Sequence, residues 1–184
     1  MSSVFLSRDI TLPIRSFHLK CTKDPTLHQH DINRFVYAPV QRGGIENLNL
    51  DIHLEKNLEI KLPPMIFSCR TLVVLHLTRI KLNDLFHMVV DFPLLKTLHL
   101  KWINLKLIEY LPKLLSGCPI LEELHTNYLH VDKHLGLVVL EEKSQYFPNL
   151  IRANISDFTT NILLNVICRV KVLRAEPVRI LRLF

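Results

Sequence analysis

Thr71-Leu72-Val73-Val74-Leu75-His76-Leu77 and Leu94-Leu95-Lys96-Thr97-Leu98-His99-Leu100 carry their leucines at the same spacing. Leu72, Leu75 and Leu77 stand in the pattern L-x-x-L-x-L, and Leu95, Leu98 and Leu100 repeat it. The closing L-x-L alternates with period two, which sends both leucines to one face of a short strand. The first leucine folds in just ahead of that strand. With Ile, Val, Phe or Ala admitted, the pattern extends in both directions. Ile14, Phe17 and Leu19 fit it, as do Ile45, Leu48 and Leu50. Leu121 and Leu124 follow, with Thr126 in the last place, then Leu150, Ala153 and Ile155, and more weakly Val170, Leu173 and Ala175. The middle residues Phe17, Leu48, Leu75, Leu98, Leu124, Ala153 and Leu173 lie 31, 27, 23, 26, 29 and 20 residues apart.

Those intervals cluster around the period of leucine-rich repeats. One such unit cannot bury its apolar face alone, but stacked neighbours can. The expected fold is therefore α/β: a leucine-rich-repeat solenoid, or horseshoe, over residues 1–184 as a single domain of about seven irregular repeats. A parallel sheet is expected on the concave face, with helices or irregular segments on the convex face and the middle residues from Phe17 to Ala153 buried. Three return segments read as helices. Leu105 to Leu115 has apolar residues at helical spacing, with Pro112 kinking the helix or setting its start. Asn161 to Arg169 is the second, and Asp31 to Ala38, ended by Pro39, is the third. Leu82 to Val90 reads either way. Pro13, Pro93, Pro119 and Pro148 stand just before strands, where proline favours extended backbone.

Hydrophobic residues make up 48% of the chain and charged residues 22%, which is globular composition and argues against disorder. The longest apolar runs, such as Leu135 to Leu140, are far shorter than a membrane helix, and Met1 to Arg8 is too short for a signal peptide. No membrane partner is expected. Cys21, Cys69, Cys118 and Cys168 form no C-x-x-C pair, which suits reduced thiols in a cytoplasmic or nuclear protein. The formal charge is +6, and most of it comes from Arg169, Lys171, Arg174, Arg179 and Arg182, opposed there only by Glu176. The basic excess thus belongs to one chain end rather than to a stripe along the fold, and no nucleic-acid partner is expected. A nucleic-acid-associated protein using that basic C-terminal stretch stays open as an alternative, as does a repeat fragment without specific function.

No catalytic, cofactor or metal site emerges. His28-Gln29-His30 with Cys21 lacks a second pair at zinc-ligand spacing and reads as a polar loop between repeats. Cys118 with His125 and His130 resembles a thiol and its base, but Cys118 sits just before a strand, where a small residue closes the turn, and Cys69 takes the same place in an earlier repeat. Gly43-Gly44 has none of the flanking glycines or lysine of a phosphate loop, and no paired carboxylates suit acid–base work. The expected protein is not an enzyme.

The residues between the inward leucines must face outward. Between the two leucines of each L-x-L stand His18, Asn49, His76, His99, His125, Asn154 and Arg174. The rows on either side include Thr97, Glu123 and Arg152, and Lys20, Asp51 and Lys101. Basic and acidic residues are nearly balanced in these rows, which suits a protein partner better than a phosphate backbone. The candidate partner-binding residues are His18, Asn49, His76, His99, His125, Asn154, Thr97, Lys101, Glu123 and Arg152. His76, His99 and His125 share one strand position, so neighbouring strands would stack them into a ladder.

Three blocks carry a family resemblance. Leu62-Pro63-Pro64-Met65-Ile66-Phe67-Ser68-Cys69-Arg70-Thr71-Leu72-Val73-Val74-Leu75-His76-Leu77 is the first. Phe92-Pro93-Leu94-Leu95-Lys96-Thr97-Leu98-His99-Leu100 and Leu114-Leu115-Ser116-Gly117-Cys118-Pro119-Ile120-Leu121-Glu122-Glu123-Leu124 are the others. Together they resemble the repeat region of plant F-box proteins with leucine-rich repeats, many of which end in an FBD domain. The resemblance covers roughly Ile14 to Ile155. It implies repeats that select an unknown protein partner for a ubiquitin ligase, while an F-box binds the Skp-type adaptor. The stretch before Ile14 is too short for an F-box, and nothing after Val170 resembles a full FBD domain. A truncated member is therefore expected, one that does not bind the Skp-type adaptor.

Overall fold

The computed structural model describes residues 13–22, 29–53, 61–133, 147–156 and 170–175. Within them the leucine register becomes a parallel sheet. Its strands are β1 (Ser16–Thr22), β2 (Asn47–His53), β3 (Val74–Thr78), β4 (Lys81–Leu82), β5 (Thr97–Leu107), β6 (Glu123–Lys133), β7 (Arg152–Ile155) and β8 (Val172–Ala175). They lie in the order β1-β2-β3-β5-β6-β7-β8, with β4 also paired to β5. Phe17, Leu48, Leu75, Leu98, Leu124, Ala153 and Leu173 are Cα partners along one line across the sheet.

One hydrogen-bond motif locks each repeat to the next. The carbonyl two residues before each middle residue accepts two successive backbone N–H groups from the following repeat. Arg15 O takes Glu46 N and Asn47 N, Val73 O takes Lys96 N and Thr97 N, and Ile151 O takes Lys171 N and Val172 N, all at 2.8–3.1 Å. Glu46, Lys96 and Glu122 do the same. Because the motif sits at one repeat position, it sets one register throughout.

A turn precedes the strand in four repeats. Leu72 N, Leu95 N, Leu121 N and Leu150 N bond to the carbonyls of Cys69, Phe92, Cys118 and Phe147, three residues earlier. Pro93, Pro119 and Pro148 therefore occupy the second position of a β-turn, which their fixed φ suits, rather than merely extending the backbone. The first turn position is buried in all four. Because it alternates between Cys and Phe, it demands an apolar side chain and not, as expected, a small one.

The middle residues Leu48, Leu75, Leu98, Leu124 and Ala153 are buried. Phe17, expected to be buried, is only partly so, and Leu173 is 49% exposed. Among the described residues β1 and β8 each pair on one side only, so a central side chain there lacks one flanking neighbour. Ile14, Ile45, Leu72, Leu95, Leu121 and Leu150 are buried at the folded-in position, and one continuous core runs through the repeats.

The return segments depart from expectation at their boundaries. Helix α1 spans Gln29–Gln41 and passes through Pro39. The lost proline N–H costs one bond, but Ile32, Val36, Pro39 and Val40 form a single buried stripe whose packing holds the last turn. Gly43 and Gly44, both at positive φ, end it. Gln29 and His30 thus begin a helix and are not loop; the Gln29 amide exchanges two hydrogen bonds with the Lys61 backbone at 2.7 and 2.8 Å. The helix expected from Leu105 begins only at Tyr110, as α2 (Tyr110–Ser116), because Leu105 and Leu107 belong to β5. Pro112 lies in its first turn, where its missing N–H matters least. Leu82 to Val90 resolves into the end of β4 and a 3-10 turn at Leu85–His87. The helix expected over 161–169 lies outside the described residues.

Candidate functional site

The face opposite the leucines carries all ten candidate residues. His18 stands on β1, Asn49 on β2 and His76 on β3; Thr97, His99 and Lys101 stand on β5, Glu123 and His125 on β6, and Arg152 and Asn154 on β7. His18, Lys101 and Arg152 are exposed and the others partly so. Asn49↔His76↔His99↔His125↔Asn154 are direct register partners. The three imidazoles do form a ladder. His76 and His99 stack, with ring centroids 4.0 Å apart at 11°, and His125 lies tilted against His99, 4.0 Å away at 39°. His18 is separated from this stack by Asn49.

Stacking has an electrostatic consequence. A ring covered by its neighbours loses hydration, and a proton on one repels a proton on the next. His99, the middle ring, is lowered from 6.5 to about 4, first by burial and then by the His76 and His125 charges, with Glu123 opposing. His76 is lowered as well, by burial and then by His125 and His18. His125 lies 3.8 Å from the Glu123 carboxylate, which Arg152 also pairs. Near neutral pH His76 and His99 are therefore uncharged donors and acceptors. Among the described residues no group of His, Cys, Asp or Glu is arranged to hold a metal ion. Rings stacked face to face do not aim their nitrogens at one tetrahedral centre.

Cys118 is fully buried and its thiol donates to the Leu114 carbonyl at 3.3 Å. Burial pushes that thiol up to about 12, so at neutral pH it holds its proton and is a poor nucleophile. Of the basic C-terminal stretch, Lys171 and Arg174 are described and exposed.

Sequence reasoning missed a second row. Arg79, Trp102 and Tyr128 stand three residues after His76, His99 and His125, and all have positive φ, at 57°, 55° and 56°. Each adds one residue to the strand and resets its inward phase, as a β-bulge does. Leu75 and Leu77 give way to Ile80 and Leu82, Leu98 and Leu100 to Ile103 and Leu105, and Leu124 and Thr126 to Leu129 and Val131, all buried. The signal was present as L-H-x-x-x-[IL]-x-[LV] in Leu75 to Leu82, Leu98 to Leu105 and Leu124 to Val131. At the bend Arg79 pairs with Asp51, while Trp102 and Tyr128 stack at 3.9 Å and 11° and remain 49% and 37% exposed.

A parallel sheet built from one repeated strand, with polar and aromatic ladders on its open face, defines a leucine-rich-repeat solenoid. Comparison with known proteins specifies which one. Residues 36–144 match a family model described as the LRR repeats of FBD-associated F-box protein At5g56370. Relatives in Arabidopsis thaliana include that protein, 38% identical over 64% of this chain and 28% of its own length. FBD-associated F-box protein At4g10400 is 33% identical over 83% of this chain and 36% of its length, and F-box/LRR-repeat protein At3g58980 is 38% identical over 60% and 19%. No solved structure matches. The chain belongs to the plant F-box/LRR family, in its leucine-rich-repeat region, and it spans about a third or less of the length of these relatives.

Proposed function

We propose that the open face of this sheet binds a protein, as the substrate-recognition repeats of a ubiquitin-ligase receptor do. The observation that carries this reading is the face itself. Seven strands in one register present the uncharged imidazoles of His76 and His99, amides and an aromatic pair between ion pairs, without a run of like charge. Such a mixed surface suits a protein interface, and its alternating signs suit a phosphate backbone poorly. The repeats are the recognition element, and the partner is the protein whose fate the ligase would decide.

The test is affinity capture from plant extract with three versions of the chain. One is wild type, one is Thr97→Lys with Glu123→Lys on the open face, and one is Arg70→Glu, an exposed site in the turn before β3. Partners lost only from the open-face variant support the reading. Partners retained equally by all three refute it.

A further inference from the structure

Trp102 on β5 and Tyr128 on β6 are exposed, whereas the other large apolar residues of these two strands are buried, apart from the partly buried Leu107. The bend does not require them: Arg79 adopts the same backbone with a charged side chain. Bulky residues are disfavoured at positive φ, and the core on the other side of the sheet would be the same with small polar residues there. Their near-parallel stack is thus an aromatic step held out from the solenoid. Trp and Tyr are the side chains that most often dominate protein interfaces when a partner finishes their desolvation.

The charges beside the step are unevenly matched. Asp51 is paired by Arg79, Asp132 by Lys81 at 3.0 Å, and Glu123 by Arg152. Lys101, exposed and adjacent to Trp102, has no ion-pair partner among the described residues. The carboxylates on this face are therefore neutralised, and one cation next to the step is left over.

We propose that the Trp102–Tyr128 stack and Lys101 form one anchor for an extended acidic protein segment, which lays an aromatic or proline side chain on the rings and a carboxylate on Lys101. This deepens the protein-binding reading and rests on it. A single-stranded nucleic acid also stacks on aromatic rings, but its evenly spaced phosphates need a run of free cations, and Arg79, Lys81 and Arg152 around the step are already paired with Asp51, Asp132 and Glu123. A peptide can place its carboxylates only where Lys101 stands.

Trp102 is the sole tryptophan of the chain, so its emission reports the anchor directly. The full chain is titrated with the peptide Asp-Phe-Asp-Pro-Asp, with its Lys-for-Asp counterpart and with oligothymidylate. The acidic peptide is expected to change the emission saturably and to weaken as salt is raised. Lys101→Glu and Tyr128→Asn, the latter chosen because Asn tolerates positive φ, should each weaken it about tenfold or more. Lys101→Glu touches no core residue, so its result stands even if Tyr128→Asn lowers stability. Phe86→Ala, which removes an exposed ring on the return-segment side, should leave binding unchanged. Equal response to the basic peptide, tighter saturation by oligothymidylate, or indifference to Lys101→Glu each overturns the proposal. In the capture assay, partners lost with the Thr97 and Glu123 changes but kept by Trp102→Asn would overturn the anchor alone and leave the protein-binding reading standing.

Discussion

Replacing His99 by Asn removes the middle ring of the imidazole stack and leaves a side chain that the same register position already carries in β2 and β7, as Asn49 and Asn154. His99 faces His76 on β3 and His125 and Glu123 on β6, with Lys101 on its own strand; His18 acts on His76 from β1. In the folded chain His99 takes its proton at about 4, against 6.5 for the free side chain. Between those values the unfolded chain holds more protons than the folded one, so acid favours unfolding. The stabilisation is complete above pH 6.5, declines as pH falls towards 4, and changes no further below that. At face value the difference is about 3 kcal/mol. The ring stays partly open to solvent, and screening there brings the expected contribution to roughly 1–2 kcal/mol. Asp84, lowered first by its hydrogen bond from Lys61, loses its stabilising charge below the histidine window. So does Asp132, where burial is outweighed by hydrogen bonds from Asn104 and Lys81 and by the charges of Lys81 and His130. Urea melts of wild type and His99→Asn between about pH 7 and about pH 4 isolate the stack. The variant should lose roughly 1–2 kcal/mol less than wild type over that range. Parallel stability curves would show that the stack has no electrostatic role.

Three further outcomes follow from the packing. Gly117 has an ordinary φ of −75°, but a Cβ there would meet Val90 Cγ1 at 2.5 Å and the Val90 carbonyl oxygen at 2.7 Å. Gly117→Ala should cost about 1–3 kcal/mol, read as a lower urea midpoint; an unchanged midpoint would mean that the Val90 backbone yields freely. Thr126 fills an inward leucine position at 2% exposure, and its hydroxyl finds no hydrogen-bond partner. Thr126→Val should therefore raise stability by about 1 kcal/mol, and a lower melting temperature would contradict that account. The Cys118 thiol should resist iodoacetamide at pH 8 in the native chain and react on unfolding, as mass spectrometry would show; rapid native alkylation would be incompatible with its burial.

The sequence by itself determined the L-x-L segment of each strand, the order of those segments and the side their residues face. L-x-x-L-x-L admits one inward set, and a slip of a single residue would expose it. That is why all ten candidate side chains lie on one face and why His76, His99 and His125 meet. What the tertiary structure alone decided were features that depend on neighbours from other repeats. Pro39 stays helical because Ile32, Val36 and Val40 pack with it, a balance that no local proline rule contains. Leu105 and Leu107 have helical spacing to their successors, yet they extend β5, because β6 offers partners for their backbone. The lowered protonation of His99 needs two rings brought from strands that are 23 and 26 residues away. The Trp102–Tyr128 step was written in the sequence only as a change of phase. That it stands out into solvent follows from the three-dimensional bend, where one added residue per strand turns the next apolar pair inward and leaves the residue at the corner outside.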